Sequence, residues 1–112
     1  MTQSLETFAR EKGVKYFMVS FTDLFGAQRA KLVPAAAIAD MQEEGAGFAA
    51  FAAWLDSTPA DPDMLAVPDP EAVIQLPWKP EVAWAPTTCK MEGELVHQAP
   101  RTVLAAQVAK AA

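Results

Sequence analysis

Few side chains in this sequence are of a type that could carry chemistry, and they are scattered. Four carboxylates, Asp56, Asp61, Asp63 and Asp69, stand close together in its middle, which raises the question of a hard-cation site. A calcium loop needs a glycine at its sharp turn and a terminal bidentate glutamate, and neither stands at the required spacing. These carboxylates therefore read as solvated loop charges. His97 and Cys89 are the single histidine and the single cysteine. One of each cannot complete a zinc quartet, and no serine or cysteine stands beside His97 in an arrangement that would make it a general base. His97 reads as a surface or capping residue, and Cys89, at the end of an apolar strand, as a small buried hydrophobe rather than a nucleophile. With no phosphate loop, dinucleotide fingerprint or zincin pattern, these residues alone are expected to hold no catalytic group and no metal. What remains is aromatic: Phe48, Phe51, Trp54, Trp78 and Trp84. Aromatic side chains are core residues first. Three tryptophans nevertheless exceed what one small core hides easily, and a partly exposed aromatic strip marks a partner surface.

The elements that must position these residues follow from pattern. Leu5, Phe8 and Ala9 at i, i+3 and i+4 predict an amphipathic helix over Ser4 to Lys12, closed by Gly13. Val14 to Thr22 is dense in β-branched and aromatic residues, Asp23 to Gly26 is a turn, and Gln28 to Pro34 is the returning strand of a hairpin. Both faces of the first strand are mostly apolar, Lys15 excepted, so it is expected inside a sheet with a helix on one side. Ala35 to Glu44 predicts a second helix closed by Gly45. The run Gly47 to Leu55 is apolar but small, and periodicity does not separate a buried strand from a loop there. Asp56 to Pro70 reads as turn chemistry, because each proline removes a donor and biases its predecessor away from helix. Ala72 to Leu76 and Glu81 to Lys90 are strand candidates, and Ala99 to Ala112 a helix with Pro100 at its first position. The order α, β, β, α, crossover, β, β, α suits an α+β domain with one mixed sheet and a covering helix.

Composition bounds the rest. At 112 residues the chain is one domain, able to bury roughly two thirds of its unfolded surface. A hydrophobic fraction of 52% against 21% charged residues excludes disorder over most of it. The net charge of −5 and pI near 4.7 give no electrostatic basis for a nucleic-acid partner. No stretch reaches the apolar length of a membrane span and no leader pattern opens the chain, so a cytoplasmic domain without membrane contact is expected.

The order of the features matches a known pattern. The hairpin VKYFMVSFTDLFGAQRAKLVP, the EEG at Glu43 to Gly45, the apolar run opened by Phe48, and DPDMLAVPDPEAV resemble the N-terminal β-grasp domain of the glutamine synthetase family. There a strand with an "FTD…G" turn, a helix, an "EEG…FDGSS" segment and an "SDM…PD" segment follow one another at similar spacing. Cys89 and the Pro100-Arg101 helix start look like the "CDI…DPR" segment that leads into the catalytic domain. The similarity runs from about Val14 to Arg101.

The resemblance implies a β-grasp-like fold over residues 1–100, with 101–112 beginning a helix toward a catalytic domain outside this sequence. It implies an ATP-dependent carbon–nitrogen ligase that phosphorylates the γ-carboxylate of glutamate and lets an amine displace phosphate. ATP and Mg2+ or Mn2+ would be bound by that missing domain. It further implies a homo-oligomeric ring, typically a dodecamer, in which this domain lends a loop to its neighbour's active site. The family's "FDGSS" would place at position 49 an aspartate that helps bind and deprotonate ammonium; this sequence has Ala49. A methyl in place of a carboxylate removes the partner of a small cation. The substrate-binding wall expected here is then Phe48, Ala49, Phe51, Ala52 and Trp54, apolar enough to accept a methyl group. That departure resembles the γ-glutamylmethylamide synthetase (glutamate–methylamine ligase) branch, labelled type III. Glutamine synthesis from ammonium, a non-catalytic β-grasp interaction domain and an inactive paralogue stand as alternatives.

Overall fold

The hydroxyl of Ser4 accepts a hydrogen bond from the Thr7 amide at 3.3 Å, and Gly13 adopts a left-handed conformation with φ 72°. These two residues cap helix α1, Leu5–Lys12, at either end. They belong to a computed structural model that describes residues 4–49, 60 and 62–112. The stripe read from the sequence is the one that packs: Leu5 and Ala9 are buried and Phe8 leans on the core. Strands β1, Tyr16–Thr22, and β2, Gln28–Pro34, form the expected antiparallel hairpin, in register from Tyr16↔Pro34 to Thr22↔Gln28. A 3-10 turn at Ala35–Ala37 leads into α2, Ile38–Glu44. Then come β3, Ala46–Phe48; β4, Met64–Pro68; β5, Ile74–Gln75; β6, Val82–Met91; β7, Glu94–Leu95; and α3, Pro100–Ala111.

Three of these differ from the sequence reading. Strand β4 lies inside the stretch read as turn chemistry. Its four residues Met64 to Val67 are apolar, and Pro68 closes the strand instead of interrupting it, so the ladder survives. Strand β3 takes the start of the ambiguous run, made a strand by pairing with β4. Strand β7 was not anticipated; it returns from β6 through Glu92 and Gly93, whose φ values of 52° and 83° are those of a two-residue hairpin turn.

The strands form one mixed sheet in the order β2-β1-β6-β4-β3, with β5 and β7 each on β6. Among the described strands only β1 and β6 run parallel. Strand β6 changes partners along its length: Val82 to Pro86 pair with β1, and Thr87 to Lys90 with β4. Pro86 lacks an amide hydrogen at this handover, and the Thr87 hydroxyl donates to the Ser20 carbonyl at 2.8 Å. On one face Phe17, Val19, Phe21, Ala83, Ala85, Cys89, Ala46, Met64 and Ala66 form the core beneath Leu5 and Ala9 of α1 and Ile38 of α2. The sheet is thus mixed, with helices covering one side, consistent with a β-grasp-like α+β domain. Helix α3 has no buried residue, and Val103, Leu104 and Val108 are exposed. Arg101 at its start is tied to Asp69 by an ion pair of 2.6 Å. No described helix is long and apolar enough to cross a membrane.

Candidate functional site

The wall expected from the sequence begins where β3 ends, so its placement depends on the turn that launches β3. Gly45, just after α2, has φ 87° and ψ 167°, a region open essentially to glycine alone. A Cβ there would meet the Ala66 carbonyl oxygen at 3.0 Å. Glycine lets the chain leave α2 and run hard against β4, giving the register Ala46↔Ala66, Gly47↔Leu65 and Phe48↔Met64.

Alternation along β3 then sends neighbouring residues to opposite faces. Phe48 turns to the core side, where its ring meets that of Phe21 edge-on with centroids 4.9 Å apart. The Lys31 ammonium, from β2, lies 4.8 Å from the Phe48 ring centroid and donates to the Gly47 carbonyl. Charge over an aromatic face at an exposed site contributes about 0.5–1 kcal/mol. Lys31 therefore fastens the end of β3 to the hairpin. Gly47 belongs to the outer face, where the Asp63 carboxylate lies 3.7 Å from where a Gly47 Cβ would stand. Ala49 follows Phe48 and is exposed. The ladder ends at the pair Phe48↔Met64. Phe51, Ala52 and Trp54 lie outside the described residues. The structure thus separates the two described residues of the expected wall: Phe48 packs and anchors, and Ala49 is exposed.

Sequence reasoning did not single out Lys31, whose contacts with Gly47 and Phe48 are 16 and 17 residues away. Asp63 was read as a solvated charge. It is exposed, and only the ladder shows that it neighbours Gly47. Of the other acidic residues, Asp69 pairs with Arg101, and Asp56 and Asp61 lie outside the described residues. Cys89 is buried, and burial pushes its thiol up to about 11. Trp84 donates its indole N–H to the Ser20 hydroxyl at 2.6 Å, whereas Trp78 is 80% exposed. Among the described residues no three His, Cys, Asp or Glu come together as a metal site.

No protein-family model matches the chain. Curated relatives do. A glutamine synthetase of Rhizobium meliloti (strain 1021) is 68% identical over all 112 residues, which span 26% of that protein. A glutamine synthetase of Rhizobium leguminosarum bv. phaseoli is 65% identical over the same 112 residues, again 26% of its length. The chain is homologous to the N-terminal part of the glutamine synthetase family. It spans about a quarter of the length of these relatives. A glutamate–methylamine ligase of Methyloversatilis universalis is 39% identical over 80 residues, 70% of this chain and 18% of that one. Among solved structures, a GmaS/ADP complex superposes with a TM-score of 0.94 at 59% identity, covering 99% of this chain and 26% of its own. An apo GmaS without ligand gives 0.92 at 60% identity, over 96% and 25%. The glutamine synthetase family ligases are therefore the class to which this β-grasp-like domain is related.

Proposed function

We propose that this chain is the N-terminal domain of an ATP-dependent glutamate–amine ligase whose amine is methylamine. Residues 1–100 are its β-grasp part, and residues 101–112 open the helix toward the catalytic domain. In the overall reaction an oxygen of the glutamate γ-carboxylate attacks the terminal phosphorus of ATP and ADP leaves. The amine nitrogen, freed of its extra proton, then attacks the γ-carbon of the acyl phosphate. The C–O bond to phosphate breaks, giving the γ-glutamyl amide and inorganic phosphate. Nucleotide, divalent cation and acid–base groups are assigned to the catalytic domain, and no step is routed through the residues described above. Their part is to form one wall of the amine site, in a cytoplasmic homo-oligomeric ring whose sites are shared between subunits.

The observation that carries the choice of amine is Ala49, exposed just past the end of β3 where a carboxylate would serve ammonium. A methyl group there leaves room and removes charge, so a substrate bearing its own methyl gains contact and ammonium loses its partner. The likeness to GmaS over nearly the whole chain supports this reading. Ammonium is the second reading, favoured by the glutamine synthetase names of the two Rhizobium relatives. Phosphate release by the protein from the complete reading frame, with ATP, glutamate and either amine, decides between them. Faster turnover with methylamine is expected, falling toward ammonium in Ala49→Asp. Preference for ammonium in the parent, or an unchanged ratio in the variant, refutes the reading.

A further inference from the structure

Strands β2 and β3 stand at opposite ends of the sheet order, yet a side chain of one reaches the other across the core face. Lys31 of β2 pairs with Val19 of β1, and Val19 is buried in the core. Directly opposed residues of an antiparallel pair project from the same face, so Lys31 leaves its strand toward the core side. There its ammonium donates to the Gly47 carbonyl and stands 4.8 Å from the Phe48 ring centroid. Phe21 of β1 meets the same ring edge-on at 4.9 Å. The end of β3 is therefore held by its main chain at Gly47 and by its side chain at Phe48. The ladder with β4 ends at Phe48↔Met64, so Ala49, the next residue, takes its position from the way Phe48 is held.

We propose that Lys31 is a positioning residue for the amine wall: by clasping Gly47 and Phe48 it fixes where Ala49 stands, and with it the fit of the substrate's methyl group. This rests on the proposed ligase reading and adds to it a residue that acts on amine binding through its neighbours. The sign of the effect separates this role from a simple charge effect. Like charges repel, so removing the Lys31 charge would tighten the binding of a cationic amine if the field alone mattered. Removing the clasp loosens it.

The test is steady-state phosphate release by the full-length protein with ATP, glutamate and varied methylamine or ammonium. It is run for the parent, for Lys31→Met, which keeps an apolar stem without the ammonium, and for Lys31→Arg, which keeps a cation able to stand over an aromatic ring. Lys31→Met is expected to raise the amine KM about two- to fivefold, the size of an exposed cation–aromatic contact, with the glutamate KM unchanged. Lys31→Arg is expected to restore most of that loss. An amine KM that is unchanged or lowered in Lys31→Met overturns the proposal. So does a glutamate KM that rises along with it, or a loss that Lys31→Arg fails to recover, since either marks a role in general stability alone. A parent that prefers ammonium sinks the methylamine reading, and a rise in the ammonium KM of Lys31→Met then still supports the clasp. A parent releasing no phosphate with either amine sinks the ligase reading and this proposal together.

Discussion

Substituting Gly45 by alanine tests the step on which the placement of β3 depends. Two separate penalties follow from the geometry. The first is conformational: at φ 87° and ψ 167° an L residue with a Cβ is in a region essentially reserved for glycine, which costs about 1–3 kcal/mol. The second is steric. The new Cβ would stand 3.0 Å from the Ala66 oxygen, 3.1 Å from the Ala66 carbonyl carbon and 3.1 Å from a Val67 methyl. Two of those atoms are main chain of β4, held between β3 and β6, so the neighbour does not swing aside, and overpacking of this kind adds about 1–3 kcal/mol. A loss of about 3 kcal/mol or more is expected from the two together. Gly13→Ala is the control: φ is 72° there as well, but nothing lies within 4 Å of the added Cβ. Only the left-handed penalty of about 1–2 kcal/mol then applies. Urea unfolding followed by tryptophan fluorescence, with parent and both variants compared at equal m, measures the difference. Equal losses at the two positions, or the larger loss at Gly13, would refute the reasoning.

Two further outcomes follow from buried groups. Burial pushes the Cys89 thiol up to about 11, so iodoacetamide at about pH 8 should leave it unmodified in the folded protein and alkylate it readily in urea; equal rates would contradict its burial. For Asp23 desolvation works to raise the carboxyl pKa, but the Ala27 amide, the Arg29 side chain and the Phe25 amide outweigh it and hold it below 3.8. The hydrogen bonds measure 2.9 Å from each amide and 3.0 Å from Arg29 Nε. A folded-state pKa below the unfolded one means stability present above the unfolded value and lost as pH falls through the folded one. Asp23→Asn, which sets an amide opposite Arg29, should therefore be less stable than the parent at neutral pH, with the gap closing as the pH drops below 3.8. A gap of constant size across that range in paired urea titrations would contradict the ion pair.

Much of the fold was legible because its signals are local. The Ser4 and Gly13 caps, the Leu5, Phe8 and Ala9 stripe and the Asp23 turn each act within a few residues. The first helix and the first hairpin followed from them, as the second helix followed from Gly45 at its end. Strand β4 was hidden because prolines on either side look like turn chemistry, and only pairing with Thr87 to Lys90 makes Met64 to Pro68 a strand. The two-residue strand β7 carries too little pattern to be seen before β6 is there to receive it.

The site divides in the same way. Ala49 and the departure it represents are properties of the sequence alone, as are the acidic net charge and the single cysteine and histidine. Which side of β3 each residue faces was decided by tertiary structure, because alternation has no direction until Gly45 launches the strand and β4 sets its register. That register turns Phe48 inward against Phe21 and under Lys31, and brings Asp63 beside Gly47. Contacts between residues 16 to 27 positions apart arise only when the strands pair, and no local periodicity encodes them.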